Sequence, residues 1–290
     1  MNSTKLISAL LATIGALSLS VSMTIAKQLD PNIPTTMIVF VRSSFGLLFF
    51  IPVLLKEKQS LSKTTNLPFH VLRIVIGICA MLCTYYAYRN LPIALATSIG
   101  MTSPIFITAL SALLLQEVIG YKKWGLIILG YIGVLIIIKP TGFILNVAII
   151  SALLANLLAA MCTIIIKKLS KQDSVITIML YGNIGIFVAS FIASLTQWYS
   201  LTLSELGSLS LMGAFGLLTQ VCSINALKLT TPSFIAPFEY SRLLFAILIG
   251  FFIFHEMLER STLLGASIVI TSTYIMILLK TPSEARKASS

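Results

Sequence analysis

Residues 6–26 read LISALLATIGALSLSVSMTIA, an apolar run that contains no charged residue. A helix rises 1.5 Å per residue, so a run of this length can cross the hydrocarbon core of a bilayer, which is about 30 Å thick. The run follows Lys5, as the apolar part of a secretory signal would, but it is longer than such a part and more runs follow it. We therefore interpret it as an uncleaved first transmembrane helix.

Nine further apolar runs cover almost the whole chain. Of the 290 residues, 57% are hydrophobic and 10% are charged, whereas about a quarter of the residues in a soluble domain are charged. Turn-forming residues separate the runs, for example at 30–32 and 139–142. The sequence predicts an all-α, polytopic membrane protein with ten transmembrane helices, over Leu6–Ala26, Thr35–Leu55, Pro68–Tyr88, Ala94–Leu115, Lys123–Ile138, Ile144–Ile166, Val175–Tyr199, Glu205–Leu227, Ser233–Phe254 and Ser261–Leu279.

The net charge of +11 has a cause other than nucleic-acid binding. Cytoplasmic loops of membrane proteins collect Lys and Arg. If the N-terminus is cytoplasmic, fourteen basic residues, Arg73 among them, fall on that side, and only Lys27, Arg89, Lys139 and Arg260 fall on the other. We expect a protein of the inner membrane with both termini in the cytoplasm, whose partners are the lipid bilayer and a small-molecule substrate and not nucleic acid.

The two halves of the chain end in similar segments. LLLQE at residues 113–117 closes the fourth run, and FIFHE at 252–256 closes the ninth, with the two glutamates 139 residues apart. Five spans per half place the two halves in the membrane in opposite senses, which is an inverted repeat. We predict a first repeat over 1–140, a second over 141–280 and a cytoplasmic tail over 281–290.

These paired segments, each followed by a glycine-bearing last helix, resemble the EamA domain of the drug/metabolite transporter superfamily. The resemblance implies a secondary transporter whose fourth and ninth helices line the transport path. The segment from Ala236 to Gly250, with Glu256 and Gly265 beyond it, is similar to the branch that takes up S-adenosylmethionine. The alternative within the superfamily is an exporter of amino acids or cationic drugs.

Of the ionisable residues within the predicted spans, three are the clearest candidates for a role inside the membrane: Arg42, Glu239 and Arg242. Such groups are costly in lipid and usually face a cavity or a partner. We predict that they bind substrate together with Tyr240: the carboxylate would take an ammonium or sulfonium, the guanidinium groups a carboxylate, and the ring an adenine or sulfonium. The alternatives are that Glu239 pairs with Arg242 only to fix helix packing, and that Arg42 pairs with Glu239 or extends to the membrane surface.

Pro104 and Pro237 interrupt the fourth and ninth helices and are candidate hinges, with a fixed kink as the alternative. Counted from the terminal glutamates, Pro104 corresponds to Leu243 and not to Pro237, so the two breaks need not be symmetric. Four polar residues could also line the path, although hydrogen bonding between helices is the commoner role of such residues: Asn156, Asn183, Gln220 and Asn225.

The sequence contains no pattern that indicates an enzyme. It has no phosphate-binding GxxxxGK segment followed by Ser or Thr, and no cluster of catalytic residue types within the spans. Cys79 and Cys83 lie one helical turn apart, but no third ligand accompanies them. We therefore expect no catalytic residue, no cofactor and no metal site, and transport driven by a solute gradient or by exchange.

Overall fold

The computed structural model describes residues 3–30, 32–56, 64, 66–91, 93–139, 146–254 and 260–279. Within these ranges the only regular elements are helices: α1 Ser3–Gln28, α2 Thr35–Lys56, α3 Leu67–Asn90, α4 Ile93–Gly100, α5 Ser103–Leu115, α6 Tyr121–Ile138, α7 Val147–Leu169, α8 Val175–Ser194, α9 Leu203–Leu229, α10 Pro232–Ile235, α11 Ser241–Phe254 and α12 Arg260–Leu278. A 3-10 helix, Ala236–Tyr240, joins α10 to α11. The predicted helix start at Ile144, the segment end at Glu256 and the tail 281–290 lie outside the described residues.

The prediction of ten membrane spans is confirmed. Among the described residues, ten helical segments are long and apolar enough to cross a bilayer, the fourth made of α4 and α5 and the ninth of α10, the 3-10 helix and α11. The eighth span begins before its predicted start at Glu205, because Thr202 and Glu205 form a capping box. The Glu205 amide donates to Thr202 Oγ1 at 3.4 Å, and the Thr202 amide donates to Glu205 Oε2 at 2.7 Å, so α9 begins at Leu203.

The helix contacts follow a two-fold pattern that exchanges the two halves. If α1, α2, α3, α5 and α6 correspond to α7, α8, α9, α11 and α12, then the contact of α1 with α9 matches that of α7 with α3. Likewise α2 with α9 matches α8 with α3, and α5 with α7 matches α11 with α1. The contacts α2 with α8 and α6 with α12 map onto themselves. The two halves are therefore interlocked inverted repeats, as the fold of such transporters requires.

The distribution of side chains is the reverse of that in a soluble protein. Large apolar residues face outward, with Phe252 exposed at 70% and Leu264 at 65%, whereas Ser8, Ser111 and Ser272 are fully buried. Small hydroxyl-bearing residues let helices approach closely and can hydrogen-bond a backbone carbonyl of a neighbouring turn or helix. The outer surface is therefore suited to lipid, and the polar groups lie between the helices.

The fourth and ninth spans are both interrupted. The fourth breaks at Met101 and Thr102, and Pro104 lies in the first turn of α5, where its missing amide costs nothing. The ninth passes through the 3-10 helix that contains Pro237. The paired glutamates are 139 residues apart. When the first break is shifted by the same number of residues, it corresponds to residues 240–241, where the 3-10 helix ends. The breaks therefore match although the prolines do not; that either break acts as a hinge stays a prediction.

The crossing of α6 and α12 is a close backbone contact between the halves. A Cβ atom added at Gly133 would lie 2.8 Å from the Gly265 carbonyl oxygen and 3.0 Å from Val269 Cγ2. A Cβ added at Gly265 would lie 2.5 Å from the Gly133 carbonyl oxygen. Only glycine at both positions lets the two backbones touch, and this contact lies on the two-fold axis of the contact pattern.

We predict that Gly133→Ala separates α6 from α12 and lowers the melting temperature of the purified protein in detergent, because overpacking a tight contact costs about 1–3 kcal/mol. The matched control is Gly125→Ala on the same helix, where a Cβ would meet nothing within 4 Å and alanine is the better helix former. Its melting temperature should equal or exceed that of the wild type. Equal destabilisation by the two variants would contradict the role of the crossing.

Candidate functional site

Three cavities adjoin one another in the middle of the bundle. The Glu239 cavity, about 160 Å³, lies between α1, α5, α7, α9 and the broken ninth span. The Arg73 cavity, about 380 Å³, lies between α2, α3, α7 and α8. The Asn183 cavity, about 150 Å³, lies between α1, α2, α8 and α9. Each pair of cavities shares wall residues. The Glu239 and Asn183 cavities share Leu19 and Thr219, the Arg73 and Asn183 cavities share Arg42 and Ile186, and the Glu239 and Arg73 cavities share Ile166.

Glu239 and Arg242 line the first of these cavities together. The 3-10 helix carries Glu239, which lies within hydrogen-bonding reach of Ser103 and close enough to Arg242 to be stabilised by its charge. Glu239 keeps part of its surface exposed although helices surround it, because it borders the cavity. Ser20 Oγ donates to the Arg242 carbonyl oxygen at 2.7 Å and attaches α1 to the start of α11. The structure therefore brings these two predicted residues to one cavity.

Arg42 lies on α2 and borders both the Arg73 cavity and the Asn183 cavity. Its Nη1 would lie 3.7 Å from a Cβ added at Gly216, an ordinary contact distance, so the guanidinium packs against α9 at this position. Arg42 is not a wall residue of the Glu239 cavity, but Thr219 and Leu19 are shared between that cavity and one that Arg42 borders. The three predicted charges thus surround adjoining spaces.

Arg73 is a fourth inward-facing charge, which the sequence analysis placed with the cytoplasmic residues. It lies six residues after the start of α3, and its Nη1 donates to the Ile178 carbonyl oxygen at 2.9 Å while the residue lines the largest of the three cavities. A Cβ added at Gly182 would lie 2.8 Å from Arg73 Nη2. Because Arg73 lies near a predicted helix end, the sequence did not reveal that it faces inward. The available signal was the Gly182 and Gly185 pair on α8, which indicates close packing against another helix.

Tyr240 borders none of the three cavities. It is fully buried, its hydroxyl donates to the Ile127 carbonyl oxygen at 3.2 Å, and its ring fills the space that a Cβ at Gly130 would occupy, at 2.7 Å. In this structure Tyr240 therefore packs the ninth span against α6. Its predicted contact with substrate is left as a prediction, and the function proposed below does not depend on it.

A buried ionic cluster closes one end of the bundle and joins the two halves. Glu117, after α5, accepts hydrogen bonds from Ser111 and from Ser233 of α10, and Lys123 Nζ lies 3.2 Å from both Glu117 Oε1 and Ser233 Oγ. Burial raises the pKa of the Glu117 carboxyl, but hydrogen bonds from Ser111, Ser233 and Thr231 and the charge of Lys123 outweigh it, so the pKa lies below its usual value.

We predict that Glu117→Ala lowers the melting temperature at neutral pH, because it leaves Lys123 buried without its partner, a loss of about 3 kcal/mol. Since folding lowers the pKa of Glu117, the carboxylate contributes its full stability above the usual value of 4.5, and the contribution is lost as the pH falls below it. Glu117→Gln, which keeps hydrogen-bonding groups, should destabilise less. A wild-type melting temperature with the same pH profile as Glu117→Gln would contradict this assignment.

These features define a class of protein. Two interlocked inverted repeats span the membrane, the two broken spans contact each other, and charged side chains surround cavities that lie between the repeats. Substrate sites of secondary transporters lie at such repeat interfaces and are built from discontinuous helices. The fold and the site are those of a polytopic solute transporter.

Comparison with known proteins places the chain within that class. The family model of the EamA-like transporter family matches residues 6–139 and 146–278, so the chain belongs to this family. It is 28% identical over 270 residues to a Rickettsia bellii protein named S-adenosylmethionine uptake transporter, covering 93% of each chain. It is 27% identical over 268 residues to the pseudopaline exporter of Pseudomonas aeruginosa, covering 91% of this chain and 93% of the exporter.

A crystal structure of another protein has the same fold. It superposes with a TM-score of 0.80 over 100% of both chains at 14% sequence identity. Each of the two family matches covers five membrane spans. The chain is therefore a transporter, and its relatives carry different solutes in different directions.

Proposed function

We propose that this protein takes up S-adenosylmethionine across the inner membrane by alternating access, with both termini in the cytoplasm. The similarity to the Rickettsia uptake transporters over nearly the whole chain supports the cargo and the direction. The excess of Lys and Arg on the side of the N-terminus supports the orientation. In this orientation the Glu117 cluster lies at the cytoplasmic end.

The observation that carries the proposal is that Glu239 and Arg242 line the same cavity, close enough for the charge of Arg242 to act on Glu239. S-adenosylmethionine has an ammonium and a sulfonium, which suit the carboxylate of Glu239, and a carboxylate, which suits the guanidinium of Arg242. The adjoining cavities bordered by Arg42 extend the space available to the rest of the molecule.

Alternating access follows from the two-fold arrangement. Extensive contacts of α1 with α9 and of α3 with α7 join helices of different halves, and the two-fold pattern exchanges these two contacts. Each moving unit therefore combines helices of both halves, and two such units can rock against each other about the site between them. In the structure the Glu117 cluster and the pair His70 Nε2 with Asp173 Oδ2, at 2.9 Å, close the same end of the bundle. Opening that end requires the Glu117 cluster to separate from α10.

We predict that Glu239→Gln lowers uptake of labelled S-adenosylmethionine into liposomes that contain the purified protein by about 10-fold to 100-fold. A hydrogen bond to a charged group contributes about 1.5–3 kcal/mol, and about 1.4 kcal/mol corresponds to tenfold. The control is Glu205→Gln, because Glu205 belongs to the capping box of α9 and glutamine serves there equally.

Wild-type uptake by a correctly inserted Glu239→Gln protein would overturn the role of Glu239. Absence of labelled uptake by the wild type, with or without an imposed pH gradient and also into liposomes loaded with unlabelled S-adenosylmethionine, would overturn the cargo. Measurement with and without the pH gradient also separates proton coupling from exchange. Exchange requires unlabelled solute on the opposite side of the membrane and no pH difference.

A second candidate is the export of amino acids, which the charge balance favours. Arg42, Arg73 and Arg242 supply three guanidinium groups to the adjoining cavities, against the single carboxylate of Glu239 among the described lining residues. That surplus suits a solute with a carboxylate and without a sulfonium. Competition distinguishes the candidates: unlabelled amino acids reduce uptake of labelled S-adenosylmethionine strongly only if the site is built for an amino-acid head group alone.

A further inference from the structure

Two amide side chains meet inside the membrane without satisfying each other completely. Asn183 lies on α8 and Gln220 on α9, and Gln220 Nε2 donates to Asn183 Oδ1 at 2.9 Å. The remaining halves of both amides, Asn183 Nδ2 and Gln220 Oε1, are buried and have no hydrogen-bond partner. Asn183 as a whole is only 6% exposed. The pair therefore holds one free donor and one free acceptor.

Unsatisfied amides in this position oppose folding, because a buried polar group without a partner loses its solvation and gains nothing in return. A third amide shows that the fold can satisfy such groups. Asn156 Nδ2 donates to the Ile99 carbonyl oxygen at 2.7 Å and to Thr102 Oγ1 at 3.2 Å, at the break of the fourth span. The free groups on Asn183 and Gln220 thus call for an explanation other than packing.

Their position indicates a ligand. Both residues line the Asn183 cavity together with Arg42, and Leu19 and Thr219 separate this cavity from the Glu239 cavity. A free donor and a free acceptor on two bonded residues of one cavity wall are complementary to a group that carries both an acceptor and a donor. The adenine ring has this pattern, with its ring nitrogens as acceptors and its exocyclic amine as donor, and Asn and Gln are the side chains that pair with that edge in DNA recognition.

We propose that Asn183 and Gln220 form the adenine subsite of the transporter. Asn183 Nδ2 donates to a ring nitrogen of the base, and Gln220 Oε1 accepts from the exocyclic amine. Both atoms are covered in this structure, so the subsite opens by rotation of the amides about their last side-chain bonds, for which Asn and Gln have broad preferences. The inference rests on the proposed cargo, because it assigns a second part of S-adenosylmethionine to a second cavity.

The first test uses the wild-type protein and varies the ligand. Thermal unfolding of the full chain in detergent is measured with adenosine and with N6,N6-dimethyladenosine at equal concentrations. We expect adenosine to raise the melting temperature and the dimethyl compound to leave it unchanged, because the two methyl groups remove both amine hydrogens that Gln220 would accept. Equal shifts with the two compounds, or no shift with either, would overturn the subsite.

The second test removes the amides. In the double variant Asn183→Leu with Gln220→Met, the melting temperature without ligand should rise, since two unsatisfied polar groups are gone, while the adenosine shift is lost and S-adenosylmethionine binds at least tenfold more weakly. The matched control is Asn156→Leu, which should melt at a lower temperature and keep the adenosine shift. A double variant that melts lower than wild type and keeps the shift would overturn the subsite.

The two proposals fail in different ways. If the wild type is stabilised selectively by adenosine but does not take up S-adenosylmethionine, the cargo is wrong and the subsite is supported. If uptake occurs and the double variant transports at the wild-type rate, the cargo is supported and the subsite is wrong. Because the ligand comparison needs no mutation, a double variant that does not fold leaves the test intact.

Discussion

The rest of the structure depends on one constraint: charged side chains cannot face lipid, so the two halves of the chain must enclose them. Arg42, Arg73, Glu239 and Arg242 all border cavities that lie between helices of both halves. Neither half contains a complete wall around any of these cavities. Folding of the bundle and formation of the site are consequently the same event, and the contact pattern that interlocks the halves also brings the charges together.

The helix breaks and the glycines both help to enclose the charged side chains between the halves. The 3-10 helix turns Glu239 into the Glu239 cavity, where Ser103, at the restart of the fourth span, lies beside it. Gly182 leaves space for the guanidinium group of Arg73, while Gly133 and Gly265 let α6 and α12 touch at the axis.

Much of this was predictable from the sequence, and the remainder has clear physical reasons. Span number follows from the length of apolar runs, and Glu239 and Arg42 stand out as charged residues within such runs. Arg73 was missed since its distance from a helix end does not reveal the direction of its side chain. Tyr240 packs against Gly130, a contact between distant segments that no local pattern encodes. The matching breaks escaped prediction because the position of a proline does not specify which turn loses its regular hydrogen bonds.

The most direct test of the account is whether water reaches the charges. In a protein whose four cysteines have been replaced, Ser223→Cys places a thiol on the wall of the Glu239 cavity, and Ile270→Cys places one on the lipid-facing surface of α12. A membrane-impermeant thiosulfonate reagent added to sealed vesicles should modify the first at least tenfold faster than the second, and S-adenosylmethionine should slow that reaction. If both thiols react equally slowly from either side of the membrane, the charged residues do not share a water-filled path and the account is wrong.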